Sequence, residues 1–226
     1  MDEKRYRLLT RIAIVLTVAW VGWTILDSGL NQSAPGAYKL DAARKNLEDG
    51  RFDEALSLYR EAFKADSENL GALRGMAQAL TQLGAQAEQR EHAKAQDQTK
   101  KAAQSLNYYK QAMTYYNEAI SREEAREASP LRQRILGVAY ANRGILQDRM
   151  GNHSGALSDY TESIRLEPEV ADGPGLLTRF MRNQAERPPS VADRARYLAA
   201  ELSKPEEERV LRIPTLDARQ RAYSMD

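Results

Sequence analysis

The chain has 226 residues and no cysteine, and its charged side chains (29%) nearly cancel to a formal net charge of +1. Those values exclude a disulfide-stapled scaffold and any thiolate-ligated zinc or iron–sulfur centre. They also leave no basic excess of the kind a nucleic-acid binder needs.

From Ile12 to Leu26 no charged residue occurs. Leu8, Leu9 and Thr10 lengthen the apolar run if Arg11 snorkels its guanidinium outward, so residues 8–26 are expected to form a single transmembrane helix. Arg11, Trp20 and Trp23 sit where interfacial anchors belong. Lys4, Arg5, Arg7 and Arg11 precede the run and Asp27 follows it. The positive-inside rule then places residues 1–7 in the cytoplasm and the remainder across the membrane. Together with an Ala- and Arg-rich composition, this points to a single-pass protein of a bacterial inner membrane with a periplasmic body and a lipid-embedded N-terminal helix. A cleaved signal peptide is the competing reading, with Ala34-Pro35-Gly36 as the nearest small-residue site. Residues 27–36 read as a polar, breaker-rich tether.

Between Gly36 and Ser129 there is no proline, and apolar residues recur at i, i+3 and i+4, a helical signal. Residues 49–69 superpose on 150–170: Gly50 on Gly151, Phe52 on His153, Ala55 on Ala156, Tyr59 on Tyr160, Ala62 on Ser163. Such recurrence is the mark of a repeat solenoid.

With small residues where helices touch, a glycine at the turn and a proline near the end, the chain resembles the tetratricopeptide repeat (TPR) superfamily. Its unit is a helical hairpin of about 34 residues. The resemblance implies an all-α solenoid of about three hairpins over residues 37–170. Repeat 1 is 36–69, with Ala43, Gly50, Phe52, Ala55, Tyr59 and Ala62 at motif positions. Repeat 2 spans 70–126 and is interrupted at 85–106. Leu73, Met76, Ala77, Leu80 and Gly84 mark its first helix, and Ala112, Tyr116, Ala119 and Ile120 its second. The insertion favours helix by propensity but has little to bury, so it reads as an extension of the flanking helices or a helical arm. Repeat 3 is 137–170, with Tyr140, Gly144, Gly151, Ala156, Tyr160 and Pro168 in place. Gly50, Gly84 and Gly151 are expected to supply the left-handed residue that ends each first helix.

Residues 171–203 read as capping helices. Leu176, Leu177, Phe180 and Met181 form one stripe, and a capping box at Ser190–Asp193 opens a second helix carrying Val191, Ala195, Leu198 and Leu202. Residues 204–226 read as an extended tail. Its Leu211, Ile213 and Tyr223 need a surface to lie on, either the chain's own solenoid or a partner.

No phosphate-binding glycine loop, nucleophile–base pair or clustered metal ligands can be picked out, so neither cofactor nor metal is expected and the chain reads as no enzyme. His153 stands at the turn aromatic's position and reads as a packing substitute, and His92 as a solvated surface residue. The resemblance puts protein binding on the concave face lined by the first helix of each hairpin. That face comprises Leu40, Arg44 and Leu47, then Arg74, Gln78 and Thr81, then Ala141, Ile145 and Asp148. Tyr108 and Tyr115, which the motif does not use, are further partner-contact candidates. Leu40 and Asp41 occupy places where the family's chaperone-tail clamp needs a Lys and tolerates an Asn, so the clamp is not reproduced. Two roles remain open: a structural subunit whose repeats dock on the extracytoplasmic side of a membrane complex, or a transient assembly factor of the translocon-associated or cytochrome-maturation kind.

Overall fold

The computed structural model describes residues 3–30, 36–89, 98–171, 190–213 and 223. All of its regular structure there is helical: α1 (Glu3–Leu30), α2 (Ala37–Glu48), α3 (Phe52–Ala65), α4 (Leu70–Gln89), α5 (Gln98–Glu124), α6 (Pro130–Arg149), α7 (His153–Leu166), α8 (Pro168–Ala171), α9 (Val191–Leu202) and a single 3₁₀ turn at Glu206–Glu208. Helices α2/α3, α4/α5 and α6/α7 pack as antiparallel hairpins, α3 against α4 and α5 against α6 join them, and α9 covers α7. The result is an all-α, TPR-like solenoid.

Two of the hairpin turns reverse in the same way. Gly50 and Gly151 take φ of 77° and 82°. The Arg51 N–H then reaches the Asn46 carbonyl at 2.8 Å, and the Asn152 N–H reaches that of Gln147 at 2.9 Å. These bonds satisfy carbonyls that the helix end would leave without a donor, and a residue with a Cβ resists the backbone they require. The middle hairpin differs. Gly84 does not end its helix; α4 continues through it to Gln89. Its role is steric instead, because the Tyr109 ring occupies the space where a Cβ would stand. Residues 90–97 lie outside the described residues, as do those carrying the 176–187 stripe and His92.

The same ring-on-glycine packing recurs. Gly75 receives Tyr59 across the α3–α4 junction, and Gly144 receives Tyr160 inside the third hairpin, where an added Cβ would come within 2.7 Å of the ring's Cδ1 and Cε1 atoms. Around these contacts a first core gathers Leu56, Leu73, Met76, Leu80, Tyr109, Tyr116 and Leu146. A second holds Val138, Ala141, Ile145 and Tyr160 together with Val191, Ala195 and Leu198 of α9. Helix ends are closed locally. Ser129 accepts a hydrogen bond from the Arg132 N–H, with Pro130 at the first helical position, and Ser190 and Asp193 form a reciprocal capping box on α9.

The expectation of a membrane span over residues 8–26 is corrected. Among the described residues no helix is long and apolar enough to cross a membrane. The uncharged run between Arg11 and Asp27 covers fifteen residues. At about 1.5 Å per residue that is roughly 22 Å, short of a hydrocarbon core of about 30 Å. The inner-membrane, single-pass location built on that span falls with it, as does the anchoring role of Arg11, Trp20 and Trp23. Helix α1 contributes no residue to the hydrophobic clusters among the described residues, and Trp20 and Trp23 are 67% and 71% exposed.

Two outcomes follow from the packing. Replacing Gly144 by Ala in a free helix would stabilise by about 1 kcal/mol on propensity alone. Here the new methyl meets the Tyr160 ring, so Gly144→Ala is expected to destabilise by about 1–3 kcal/mol. Urea denaturation reads the sign, and a raised midpoint contradicts the ring-on-glycine account. Alkaline pH tests the buried tyrosines. Burial pushes the Tyr59 hydroxyl up to about 12, and burial likewise raises Tyr109 and Tyr116. An unfolded tyrosine titrates near about 10. The stability these neutral hydroxyls contribute is therefore complete below about pH 10 and is lost as the pH climbs through the folded-state values. The urea midpoint should fall steadily above about pH 10 while far-UV circular dichroism stays native until the transition; a flat midpoint up to about pH 12 would contradict this.

Candidate protein-interaction surface

The helix face assigned to partner binding is built by α2, α4 and α6, and it is not uniform along the solenoid. On α2, Arg44 is exposed while Leu40 and Leu47 are half-buried. Arg44 stands 3.8 Å from Asp41, with the two side chains 59% and 75% exposed, an arrangement that contributes little and leaves the guanidinium available. On α4, Gln78 is half-buried and Thr81 is buried, its hydroxyl donating back to the Ala77 carbonyl at 2.8 Å. Arg74 bonds Glu123 at 3.3 Å. Burial draws the Arg74 guanidinium below its ordinary value, and the charge of Glu123 opposes that. Arg74 is thus committed to holding α4 against α5.

On α6 the same face is sealed by the chain itself. Ala141 and Ile145 are buried under Val191, Ala195 and Leu198 of α9, with Leu211 and Tyr223 packed alongside. Asp148 is the polar centre of this closure. It accepts from Arg194 Nε at 2.6 Å and Nη2 at 2.9 Å. Its other partners are His153 Nδ1 at 2.8 Å and the Tyr160 hydroxyl at 3.4 Å. Two-point pairing of a guanidinium with a carboxylate is the geometry in which burial of both charges is tolerable.

Arg194 also donates to the Leu211 carbonyl at 2.9 Å, so the same side chain fixes α9 and the following segment. Further bonds hold that segment down: Glu201 accepts from the Val210 N–H at 2.8 Å, Tyr197 donates to the Val210 carbonyl at 2.5 Å, and Arg212 donates to the Arg149 carbonyl at 2.9 Å. Beyond it, Asn142 grips the main chain of Tyr223 from both sides. Its Nδ2 donates to the Tyr223 carbonyl at 3.0 Å, and its Oδ1 accepts the Tyr223 N–H at 2.7 Å. The Tyr223 hydroxyl takes the N–H of Val191, the first residue of α9, at 3.1 Å.

Of the remaining candidates, Tyr108 and Tyr115 lean on the first core, and Ile213 is half-buried. Of the alternatives left open for Leu211 and Tyr223, the structure takes the chain's own solenoid. Neither Asn142 nor Arg194 stands out in the sequence. Asn142 reaches a residue eighty-one positions away. Arg194 sits forty-six residues from its acceptor, a separation that no local pattern reveals. Among the described residues no group of His, Cys, Asp and Glu could hold a metal ion.

Comparison with known proteins agrees with this architecture. Two family models, each described as Tetratricopeptide repeat, match residues 46–90 and 101–126. The chain therefore carries TPR repeats over those residues, and repeat models name no reaction. Neither match bears on a membrane location or a source organism. No curated protein matches the chain. Among solved structures, the first TPR of Spaghetti (RPAP3) bound to the HSP90 peptide SRMEEVD is similar at a TM-score of 0.48 and 16% identity. That match covers 76% of this chain and 97% of the other. A likeness at that level carries no argument about ligand.

The Asp148–Arg194 pair gives a direct test of the closure. Arg194→Met should cost about 3 kcal/mol, because it leaves a buried carboxylate without its guanidinium. Adding Asp148→Leu should recover part of that loss by removing the orphaned charge. A double-mutant cycle in urea measures both, and a single variant as stable as the native chain would show the pair to be dispensable.

Proposed function

We propose that this chain is a non-catalytic scaffold that holds a partner protein on the helix face of its first two hairpins, as a long-lived accessory subunit of a multiprotein assembly. The observation that carries the reading is the asymmetry of that face. Leu40, Arg44, Leu47 and Gln78 remain partly or fully accessible, whereas the corresponding positions of the third hairpin are covered from within. Apolar side chains flanking a guanidinium suit an extended partner segment that supplies an apolar residue and a carboxylate or carbonyl. The apolar length of α1, with Ile14, Val15, Leu16 and Val18 exposed, supports lasting rather than passing association, because a lone monomer seldom leaves so much apolar surface in water.

The experiment is site-specific photocrosslinking in native extracts, with the probe at position 44 or 78 and a control at Arg60, which is exposed on α3. One discrete adduct is expected from 44 and 78, and none of that mass from 60. The same protein should co-purify with the chain at about one to one. Equal adducts from all positions, or none, would refute the assigned face; an adduct without stoichiometric recovery would favour a transient assembly factor.

A further inference from the structure

The second repeat is interrupted, and the interruption builds something the repeat motif does not contain. Helix α4 runs past Gly84, the glycine expected to turn its hairpin, and reaches Gln89. It thereby carries Glu88 beyond the place where the chain would have reversed. Helix α5 begins early, at Gln98, and brings Ser105 and Leu106 alongside. The end of α6 supplies Arg149, with Met150 just beyond it. Between these elements lies a cavity of about 190 Å³, lined by Glu88, Ser105, Leu106, Tyr109, Arg149 and Met150. A cavity of about 150 Å³ admits a molecule the size of benzene, so this one has room for a small organic ligand.

The polar groups of the cavity are placed by the fold. Tyr109 is 3% exposed, and its ring is seated on Gly84. Ser105 ties α5 to the same glycine, donating to its carbonyl at 3.0 Å. The Tyr109 hydroxyl is buried and has no hydrogen-bond partner among the described residues, an exception for a buried polar atom. Burial pushes its pKa up, the charge of Glu88 raises it further, and that of Arg149 draws it down. Glu88 and Ser105 are near enough to influence the hydroxyl, yet neither meets it at bonding distance and angle. A carboxylate, a guanidinium and a hydroxyl thus border one space, with Leu106 and Met150 as its apolar part.

We propose that this cavity binds a free α-amino acid with a short apolar side chain. The ammonium group pairs with Glu88. The carboxylate accepts from the Tyr109 hydroxyl and from Arg149, which has five N–H groups to distribute between the fold and a ligand. The side chain lies on Leu106 and Met150. A zwitterion matches both charges at once, whereas an amine or an acid alone would set one of them against an apolar group. The site is separate from the helix face assigned to partner docking, and its ligand bridges the second and third hairpins.

The test is an amide-correlation NMR titration of the full isotope-labelled chain with L-leucine, and with isopentylamine and isocaproate, which each keep one of its two charges. L-leucine should give saturable shifts at Ser105, Leu106 and Met150 with a Kd of about 1 mM or lower. Each analogue should bind about tenfold more weakly or worse. Tyr109→Phe keeps the ring on Gly84 and removes only the hydroxyl, and Glu88→Gln removes only the charge. Each should weaken leucine about tenfold while the spectrum away from the cavity stays native. If a variant misfolds, the analogues decide the matter on the native chain. No saturable shift at about twenty times that Kd would show a cavity that holds solvent only and would overturn the proposal. Equal binding of leucine and its analogues, or binding unaffected by either substitution, would overturn it as well.

Discussion

The fold depends on tyrosine rings seated on glycines. Tyr59 on Gly75, Tyr109 on Gly84 and Tyr160 on Gly144 each let an aromatic fill the gap between two helices at a distance that any other residue would widen. An aromatic ring buries far more apolar area than the alanines around it. In a chain whose helix contacts are dominated by Ala43, Ala55, Ala62, Ala77, Ala112 and Ala156, those rings supply much of the core. The spacing they set also fixes which side chains point outward from the first helices. Hydrogen-bonded turns at Gly50 and Gly151 orient the hairpins, but they position helices whose separation the rings have already decided.

A solenoid has two ends, and each exposes an apolar face that the next repeat would have covered. At the far end of this one, α9 takes the place of the missing helix and the following segment extends the cover onto α6. The polar part of that cover is expensive to assemble, since Asp148 and Arg194 are both buried. Burial of an ion pair contributes little net stability, yet removal of either partner is severe. Such a pair selects one register of α9 over its neighbours, which apolar contacts among Val191, Ala195 and Leu198 alone would allow to slide.

The sequence made the repeats legible because their determinants are local. A small residue at i and i+7 with a tyrosine at i+4, a glycine two residues before the next helix and a serine before a proline each speak for their own turn. The capping box at Ser190 was readable for the same reason. Three features were not. Gly84 matches the turn glycines by alignment, but the helix runs through it because the residues that follow favour helix and a ring needs the space. The uncharged run of α1 read as a membrane span only by counting Arg11 as a snorkelling residue; its own length is too short. The concave lining of the third hairpin was transferred from the register of the motif, which places Ala141, Ile145 and Asp148 on the correct helix but is blind to what covers them. Coverage comes from residues forty-six to eighty-one positions away, and pairings at that range leave no periodic trace.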